Sequence, residues 1–337
     1  MSDLVFIVTG AAGHLGSHVV NELLSQGKRV RALFMPGEKC PDFIKINRHL
    51  LSEYIGDIRN PHSVERMFYG FQKETFIVIH CAAIISITKK EDRRVYDVNV
   101  KGTANLLRVC RRFPAYRFVY ISSVHAIPLL PRGRTMREVQ SFSPDCVSGY
   151  YDKTKAIATQ LVLDAVSSGI DAVVVHPSGI IGPHGLPTGG MAKMIALFMC
   201  GKLPIAVKGG YDFVDVRDVT SGVIAAAVKG KTGECYILSN RYVELKEIFD
   251  ILFQLGAKQK LRIQLPTWLA KTVAPLAEIF YRLSNKTPLL TRYSLNTLFN
   301  NGIYSHEKAR NELGYKTRTL RETLTDTLLS QFRQNLP

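Results

Sequence analysis

Cysteine is sparse and scattered in this chain. The six cysteines in 337 residues stand at Cys40, Cys81, Cys110, Cys146, Cys200 and Cys235, with no C-x-x-C pair. That spacing argues against a zinc ribbon or a disulfide framework and predicts reduced thiols and no metal site. Long apolar runs are missing too. Nothing approaches the roughly 20 residues that cross a bilayer, and no basic segment precedes an apolar signal core near the start. A cytoplasmic protein without integral membrane association is therefore expected. There is no internal repeat and no low-complexity segment. Acidic residues are in short supply, 28 Asp and Glu against 44 Lys and Arg, for a formal charge of +16. Basic residues gather at Arg108, Arg111, Arg112 and Arg117, at Arg132, Arg134 and Arg137, and from Lys316 to Arg321. No nucleic-acid motif and no basic stripe interleaved with aromatics accompanies them. The charge reads as solvated surface, part of which can draw in a phosphate-bearing cofactor. The expected partner is a small molecule, with no nucleic acid.

What is present is an ordinary globular composition, 46% hydrophobic and 21% charged, long enough for two lobes. Leu4 to Thr9 is a continuous apolar run of strand length, as in a central parallel strand. Gly10-Ala-Ala-Gly13-His-Leu-Gly16 follows at once, and Ser17 to Ser25 reads as a helix closed by Gly27. Glycines between a strand and a helix allow a tight turn and a close approach of backbone to a pyrophosphate at the helix N-terminus. Val30 to Phe34 is a second strand. At its end an acid would select NAD and an arginine NADP, but Met35, Pro36 and Gly37 stand there. Lys28, Arg29, Arg31 and Lys39 lie near and tilt the balance towards NADP, unless they are only surface.

Tyr54 to Ile58 suggests a short third strand. Its Asp57 is placed to accept from an adenine, with Ile58 against the ring, or to cap the helix starting near Pro61. Phe76 to His80 is a fourth strand; His80 reads as a core histidine, and the small Ala82 and Ala83 leave room for a ribose. Asp97 to Leu107 leads a helix in which Asn99 ties neighbouring loops. Phe118 to Ile121 is a fifth strand that runs into Ser122 and Ser123, and Ala172 to His176 is a sixth. Pro177, Ser178, Gly179 and Ile180 then form a rigid loop able to lie over a nicotinamide. Met191 to Met199 is an apolar helix. Tyr211 to Val219 returns the chain to the sheet, with Asp215 and Arg217 best read as an ion pair between lobes. From about Leu245 the alternation fades. Glu244 to Leu255 is an amphipathic helix, and Leu265 to Leu283 is an apolar stretch fit for core packing, a pocket wall, a dimer contact or a membrane surface. The expected architecture is α/β, a doubly wound parallel sheet with a smaller, mostly helical C-terminal lobe. Residues 1–177 with a return segment at about 205–240 would bind the dinucleotide; 178–204 and 241–337 would bind the substrate.

Tyr151 and Lys155 lie four apart, on one face of a helix. A phenol is a poor acid or base at neutral pH, and a neighbouring cation lowers its pKa towards the working range. Tyr69/Lys73, Tyr242/Lys246 and Tyr304/Lys308 share the spacing. Only Tyr151 follows a strand-end serine within an α/β unit.

Taken in order, Thr9-Gly10-x-x-Gly13-x-x-Gly16, Asp57-Ile58, His80-x-Ala82-Ala83, Asn99-x-x-Gly102-Thr103, Ser122-Ser123, Tyr151-x-x-x-Lys155 and His176-Pro177-Ser178-Gly179-Ile180 resemble the extended short-chain dehydrogenase/reductase superfamily over nearly the whole chain. Within it the sequence looks most like the NAD-dependent epimerase/dehydratase branch and its dihydroflavonol reductase and 3β-hydroxysteroid dehydrogenase relatives, which the segments from Pro288 to Arg292 and from Lys308 to Tyr315 also resemble. The resemblance implies that Tyr151 is the general acid/base, that Lys155 lowers its pKa and holds the nicotinamide ribose, and that Ser123, rather than Ser122, bonds the substrate oxygen. It implies an NADP or NAD site from Gly10, Ala12, Gly13, His14, Leu15 and Gly16, from Met35, Asp57, Ile58, Ala82 and Ala83, and from Ser122, Tyr151, Lys155, Pro177, Ser178, Gly179 and Ile180. Sugar-nucleotide dehydratases carry an acidic pair where this chain has Val124 and His125, which disfavours dehydration. A reductase or dehydrogenase for a bulky, fairly apolar ketone or alcohol is expected. A nucleotide-sugar epimerase is the first alternative and a non-catalytic dinucleotide sensor the second. Relatives pair through a four-helix contact, so a homodimer built on the helices after Asn99 and Tyr151 is expected.

Overall fold

Strands with buried residues on both faces need helices on both faces, and the chain supplies them. In the computed structural model, residues 4–70, 74–86, 91–113, 115–185, 190–203, 205–270, 272 and 292–333 are described. Seven strands form one parallel sheet: β1 (Leu4–Thr9), β2 (Arg29–Phe34), β3 (Leu51–Ile55), β4 (Thr75–His80), β5 (Ala115–Ile121), β6 (Ala172–Pro177) and, further on, β10 (Cys235–Leu238), in the order β10-β6-β5-β4-β1-β2-β3. Val5 and Ile7 point into one core with Val64, Leu106 and Ala156, from the helices α2 (Pro61–Met67), α4 (Thr103–Cys110) and α5 (Tyr150–Val166). Phe6 and Val8 point into the other with Val19 and Val223, from α1 (His14–Ser25) and α7 (Val216–Lys229). The period-two alternation of β1 thus fills two cores at once. This is a Rossmann-type doubly wound sheet.

Register brings the strand ends to one edge. Thr9 pairs with Leu33 on one side and His80 on the other, His80 with Tyr120, and Ile121 with Val175. The strand order reverses between β4 and β1, and ligands bind at the carboxyl ends beside such a reversal.

Several expectations change. β3 ends at Ile55, before Gly56, so Asp57 and Ile58 stand beyond the strand. Asn60, not Asp57, caps α2, its Oδ1 accepting from His62 N and Ser63 N. The helix expected from Asp97 opens as the short α3 (Arg93–Tyr96), passes through a π-helical turn over Asp97–Gly102, and only then becomes α4. The segment from Tyr211 does not return to the main sheet. It is β9 (Gly210–Asp215), central in a separate three-stranded sheet between β7 (Gly179–Ile181) and β11 (Arg241–Glu244). Its apolar run signals burial but not which sheet buries it, and the strand that does return is β10. β8 (Ile205–Val207) pairs with β12 (Ile263–Leu265). The remaining helices are α6 (Gly190–Met199), α8 (Leu245–Gln254), Arg292–Phe299, Glu307–Leu313 and Leu320–Arg333. Arg217 binds Asp215 at 2.7 Å and Asp326, on the last of these, at 2.6 Å. Most of the apolar stretch after Ala270 and the segment Pro288 to Thr291 lie outside the described residues. Among the described residues no helix is long and apolar enough to cross a membrane.

Candidate active site

The glycine turn is shaped by contact. Gly10 has φ +67°, and a Cβ there would stand 2.7 Å from the backbone of Ala82. A Cβ on Gly16 would meet the carbonyl oxygen of Gly10 at 2.1 Å. Only glycine fits at either position. Gly13 caps α1 with no side-chain bond to the first helical amides, which leaves a helix N-terminus that could hold an anion. His14 has its Nε2 2.9 Å from the carbonyl of Pro183. Leu15 and Gly16 are buried in the first turn of the helix.

A polar string fixes the neighbouring strand ends. Thr9 Oγ1 lies 2.7 Å from His80 Nδ1, His80 Nε2 lies 3.0 Å from Thr103 Oγ1, and Thr103 donates to the carbonyl of Asn99 at 2.7 Å. Burial holds His80 down to about 3, so it is a neutral core histidine. The amide of Asn99 accepts from Ile84 N at 2.8 Å and donates to Ile84 O and to Thr154 Oγ1. It joins the loop after Ala82 and Ala83 to the helix that carries Tyr151 and Lys155.

α5 starts at Tyr150, where Asp152 Oδ2 accepts from Gly149 N at 3.0 Å. Tyr151, Thr154, Lys155, Ala158, Thr159 and Val162 share its buried face. The helix therefore carries a lysine and a tyrosine, 3% and 6% exposed, up against the sheet edge. Lys155 Nζ donates to the carbonyl of Ile121 at 2.7 Å and lies 4.9 Å from the centre of the Tyr120 ring. Burial pushes its ammonium down to about 7. Burial also pushes the Tyr151 phenol well above its usual range, while the hydroxyl of Ser123 pulls it back. The lowering by Lys155 expected from the sequence is not seen: burial, which raises the phenol, dominates, and the group that pulls it back is Ser123.

The two serines separate cleanly. Ser122 Oγ lies 2.6 Å from Thr159 Oγ1, whose own proton goes to the carbonyl of Lys155, so Ser122 donates into the helix packing. Ser123 Oγ accepts from His125 N and bonds Tyr151, and the Ser123 carbonyl accepts from His176 Nδ1 at 3.0 Å. The segment after Pro177 is less a loop than a strand junction. Ser178 Oγ donates to Asp212 Oδ1 at 2.5 Å, and Gly179 and Ile180 begin β7. Burial pushes Asp212 up to about 6.

Around the end of β2 the structure adds a group that the sequence reading passed over. Glu38 Oε2 accepts from Met35 N at 2.8 Å, so a carboxylate does stand at the strand end, brought back by the turn through Pro36 and Gly37. Asp57 is held by Arg59, whose guanidinium spans both carboxylate oxygens at 2.6–3.1 Å. Of the nearby cations, Arg29 pairs with Glu74, and Arg31 donates to the carbonyls of Met67 and Tyr69. Lys28 and Arg29 sit at the amino end of β2, away from the crevice.

Next to Tyr151 opens a cavity of about 330 Å³, lined by His125, Ile127, Leu129, Asp145, Cys146, Val147, Ser148, Asp152, Tyr211, Asn296, Thr297, Asn300, Asn301 and Tyr304. Its wall carries two carboxylates and, among the described residues, no lysine or arginine. Tyr211 and the 296–304 segment that supplies Tyr304 and the asparagines are far apart in the chain, and no spacing in the sequence pointed to their meeting.

The sequence model of the NAD dependent epimerase/dehydratase family matches residues 6–239. The chain is 29% identical to the sterol demethylase protein B of Methylococcus capsulatus, over 96% of each chain. It is 30% identical to a putative dihydroflavonol 4-reductase of Synechocystis, over 96% of this chain and 93% of the relative. The crystal structure of gox2253 superposes with a TM-score of 0.80 at 29% identity, over 99% of this chain and 98% of the other.

Proposed function

The chain belongs to the NAD dependent epimerase/dehydratase family and is a nicotinamide-dependent enzyme of the extended short-chain dehydrogenase/reductase type; from that premise we propose that it interconverts a ketone and a secondary alcohol on a bulky, fairly apolar, uncharged substrate. One observation carries the choice. The cavity beside Tyr151 holds Asp145 and Asp152 and, among the described residues, no lysine or arginine. A nucleoside diphosphate sugar needs cations to replace the hydration of its phosphates. Two carboxylates instead repel it. The names of the sterol and dihydroflavonol relatives point to apolar ring systems of the same kind. An epimerase acting on a nucleotide sugar is the second reading, carried by the family's own name.

In this reading Tyr151 gives a proton to, or takes one from, the substrate oxygen. Ser123 holds that oxygen in place, itself fixed by His125 N and by the bond from His176 to its carbonyl. Lys155, anchored on Ile121 O, would supply positive charge near the phenol when protonated and would hold the ribose of a nicotinamide cofactor. When bound at this edge, a nicotinamide would supply or take up the hydride. Gly10 and Gly16 let the turn close against Ala82 and on itself, which would bring its backbone up to a pyrophosphate, and Asn99 ties α5 to the loop at Ile84 through Thr154. Glu38 stands where a ribose hydroxyl would be accepted, which favours NAD over NADP. The cofactor would sit on residues 1–177 with a return segment at about 205–240, and the substrate on 178–204 and 241–337. Two copies would pair through α4 and α5, where Ile157 and Leu161 are only partly covered; sedimentation would give a dimer.

The test is a panel of steroid, flavonoid and simple aromatic ketones and alcohols, followed at the nicotinamide absorbance with both cofactors. UDP-glucose and UDP-galactose are assayed beside them, and the protein is denatured to count released nucleotide. Turnover of a panel ketone by protein that releases little nucleotide is expected. Stoichiometric NAD with sugar interconversion and no ketone turnover would overturn the reading.

A further inference from the structure

A second polar string runs along the cavity wall beside Tyr151. Asp152 gives one carboxylate oxygen to Gly149 N and turns the other towards His125, Oδ1 to Nδ1 3.4 Å. A carboxylate only accepts, so with Asp152 beside Nδ1 we assign the ring proton to that nitrogen. Burial holds the imidazole below its usual range while Asp152 pulls it back up, so at neutral pH the ring is uncharged and Nε2 carries a lone pair. Tyr211 supplies the matching proton, its hydroxyl 3.1 Å from Nε2. The two rings stack at 5.8 Å and 23°. Beyond them the hydroxyl of Tyr304 bonds Tyr211. The edge of His125 meets the ring of Tyr151 at 6.1 Å. His125 keeps 26% of its side chain exposed, and it lines the cavity.

This arrangement is more than Tyr151 requires. Ser123 already bonds the phenol, and the contact of His125 with Ser123 is made by its backbone. Its side chain, held between Asp152 and Tyr211, borders the cavity. We propose that the His125–Tyr211 pair, set by Asp152, recognises a second oxygen on the substrate, a hydroxyl one or two carbons from the carbon that is oxidised or reduced. Such a hydroxyl donates to Nε2 and accepts from Tyr211, entering the bond that the two now make with each other. A substrate without it leaves that bond closed and orphans no polar group. Discrimination is therefore moderate, on the order of tenfold, and not the several thousandfold of a site whose buried donors would be left unpaired.

The proposal rests on the ketone/alcohol reading above, and its test separates the two. The best ketone of the panel is compared with its α-hydroxy and β-hydroxy analogues, benzoin against deoxybenzoin being the starting pair. The full chain with its cofactor is used, as wild type, His125→Phe and Tyr211→Phe. In the wild type one hydroxylated analogue is expected to have a kcat/KM about tenfold above its deoxy partner. In each variant that ratio is expected to fall to about one, chiefly through KM. The ratio is the readout, so a general loss of rate from disturbed packing does not imitate the result. If His125→Phe fails to fold, by circular dichroism, Tyr211→Phe carries the test. Turnover of ketones with no preference in the wild type, or a preference unchanged in the folded variants, overturns this inference alone. Absence of any ketone or alcohol turnover overturns the underlying reading, and this inference with it.

Discussion

Tyr151/Lys155 and Tyr304/Lys308 have the same spacing, and both tyrosines are buried, 6% and 7% exposed. Their surroundings differ in ways that decide their chemistry. Tyr151 and Lys155 ride on one helix, whose buried face carries both to the sheet edge. Tyr304 precedes its helix, in an isolated bridge to Met136, and only Lys308 lies on the Glu307–Leu313 helix. Lys155 has a carbonyl and an aromatic face for company and no carboxylate partner among the described contacts. Lys308 is neutralised by Glu234 at 2.5 Å. A lysine spent on a carboxylate cannot serve a phenol. The other two pairs fail earlier. Tyr69 is 54% exposed, with Lys73 outside the described residues, and Lys246 binds Asp250.

The comparison breaks most visibly at the hydroxyls. Tyr151→Phe is expected to lower kcat by about 10²–10⁴, the range for losing a positioned general acid, with cofactor binding retained. Tyr304→Phe lines the cavity without facing the sheet edge and is expected to cost less than about tenfold, mostly in KM. Steady-state kinetics and a cofactor titration of both variants measure this. Equal losses in kcat would erase the distinction between the two pairs.

The lysines sharpen it through stability. The folded value of Lys155, about 7, lies below its ordinary 10.5, so the fold prefers the neutral amine. Above the ordinary value both states are neutral and nothing is lost. As pH falls towards 7 the unfolded chain takes up the proton first, and the fold is penalised. Below 7 both states are charged and the penalty is complete. Lys155→Met removes a buried charge, so it is expected to abolish most activity yet to raise Tm more at pH 6 than at pH 9, by roughly 2–4 °C. Lys308→Met breaks a partly exposed pair and is expected to cost under about 1 kcal/mol. Thermal unfolding of both variants at the two pH values checks the sign. A gain for Lys155→Met that grew with pH would refute the account of its burial.

These residues also mark how far the sequence could be read. The glycine turn was legible because its requirement is local. Gly10 and Gly16 must lack side chains whatever the rest of the chain does, and six of the seven strands announced themselves as apolar runs between turns. Ser123 and Tyr151 were legible because a parallel strand and its helix are consecutive in sequence. The cavity wall was not, because Tyr211 is brought to the segment of Asn301 and Tyr304 by tertiary packing that leaves no period to detect. His125 was visible only as the absence of an acid, and the partner that orients it, Asp152, was hidden inside the Tyr-x-x-x-Lys motif. The exchange of β9 for β10 has the same origin. Both are short and buried, and hydrophobic pattern does not say which neighbour a strand chooses.

Backbone contact separates a third pair of positions. Gly16→Ala would place a methyl 2.1 Å from the carbonyl oxygen of Gly10, whereas Gly37 has nothing within 4 Å and is limited only by its φ of +90°. Gly16→Ala is expected to destabilise by about 1–3 kcal/mol, as overpacking does, and to weaken cofactor affinity in fluorescence titration. Gly37→Ala should cost about 1 kcal/mol and leave affinity nearly intact. Comparable affinity losses would mean that the turn is not where the pyrophosphate lies.

The smallest expected effect concerns the end of β2, where Glu38 stands three residues beyond the position at which an acid was sought. Its carboxylate is held on Met35 N, and an ionised group there both accepts from a ribose hydroxyl and repels a 2′-phosphate. Glu38→Gln keeps the shape and removes the charge. The ratio of kcat/KM for NADP to that for NAD is expected to rise by a few fold, about 1 kcal/mol for one partly exposed charge pair. The direction matters more than the size. A ratio that fell, or a wild type already preferring NADP, would transfer the choice of cofactor from Glu38 to the remaining cations at that edge, Lys39 and Arg59, and the Arg59 guanidinium would then have to leave Asp57 to meet the phosphate.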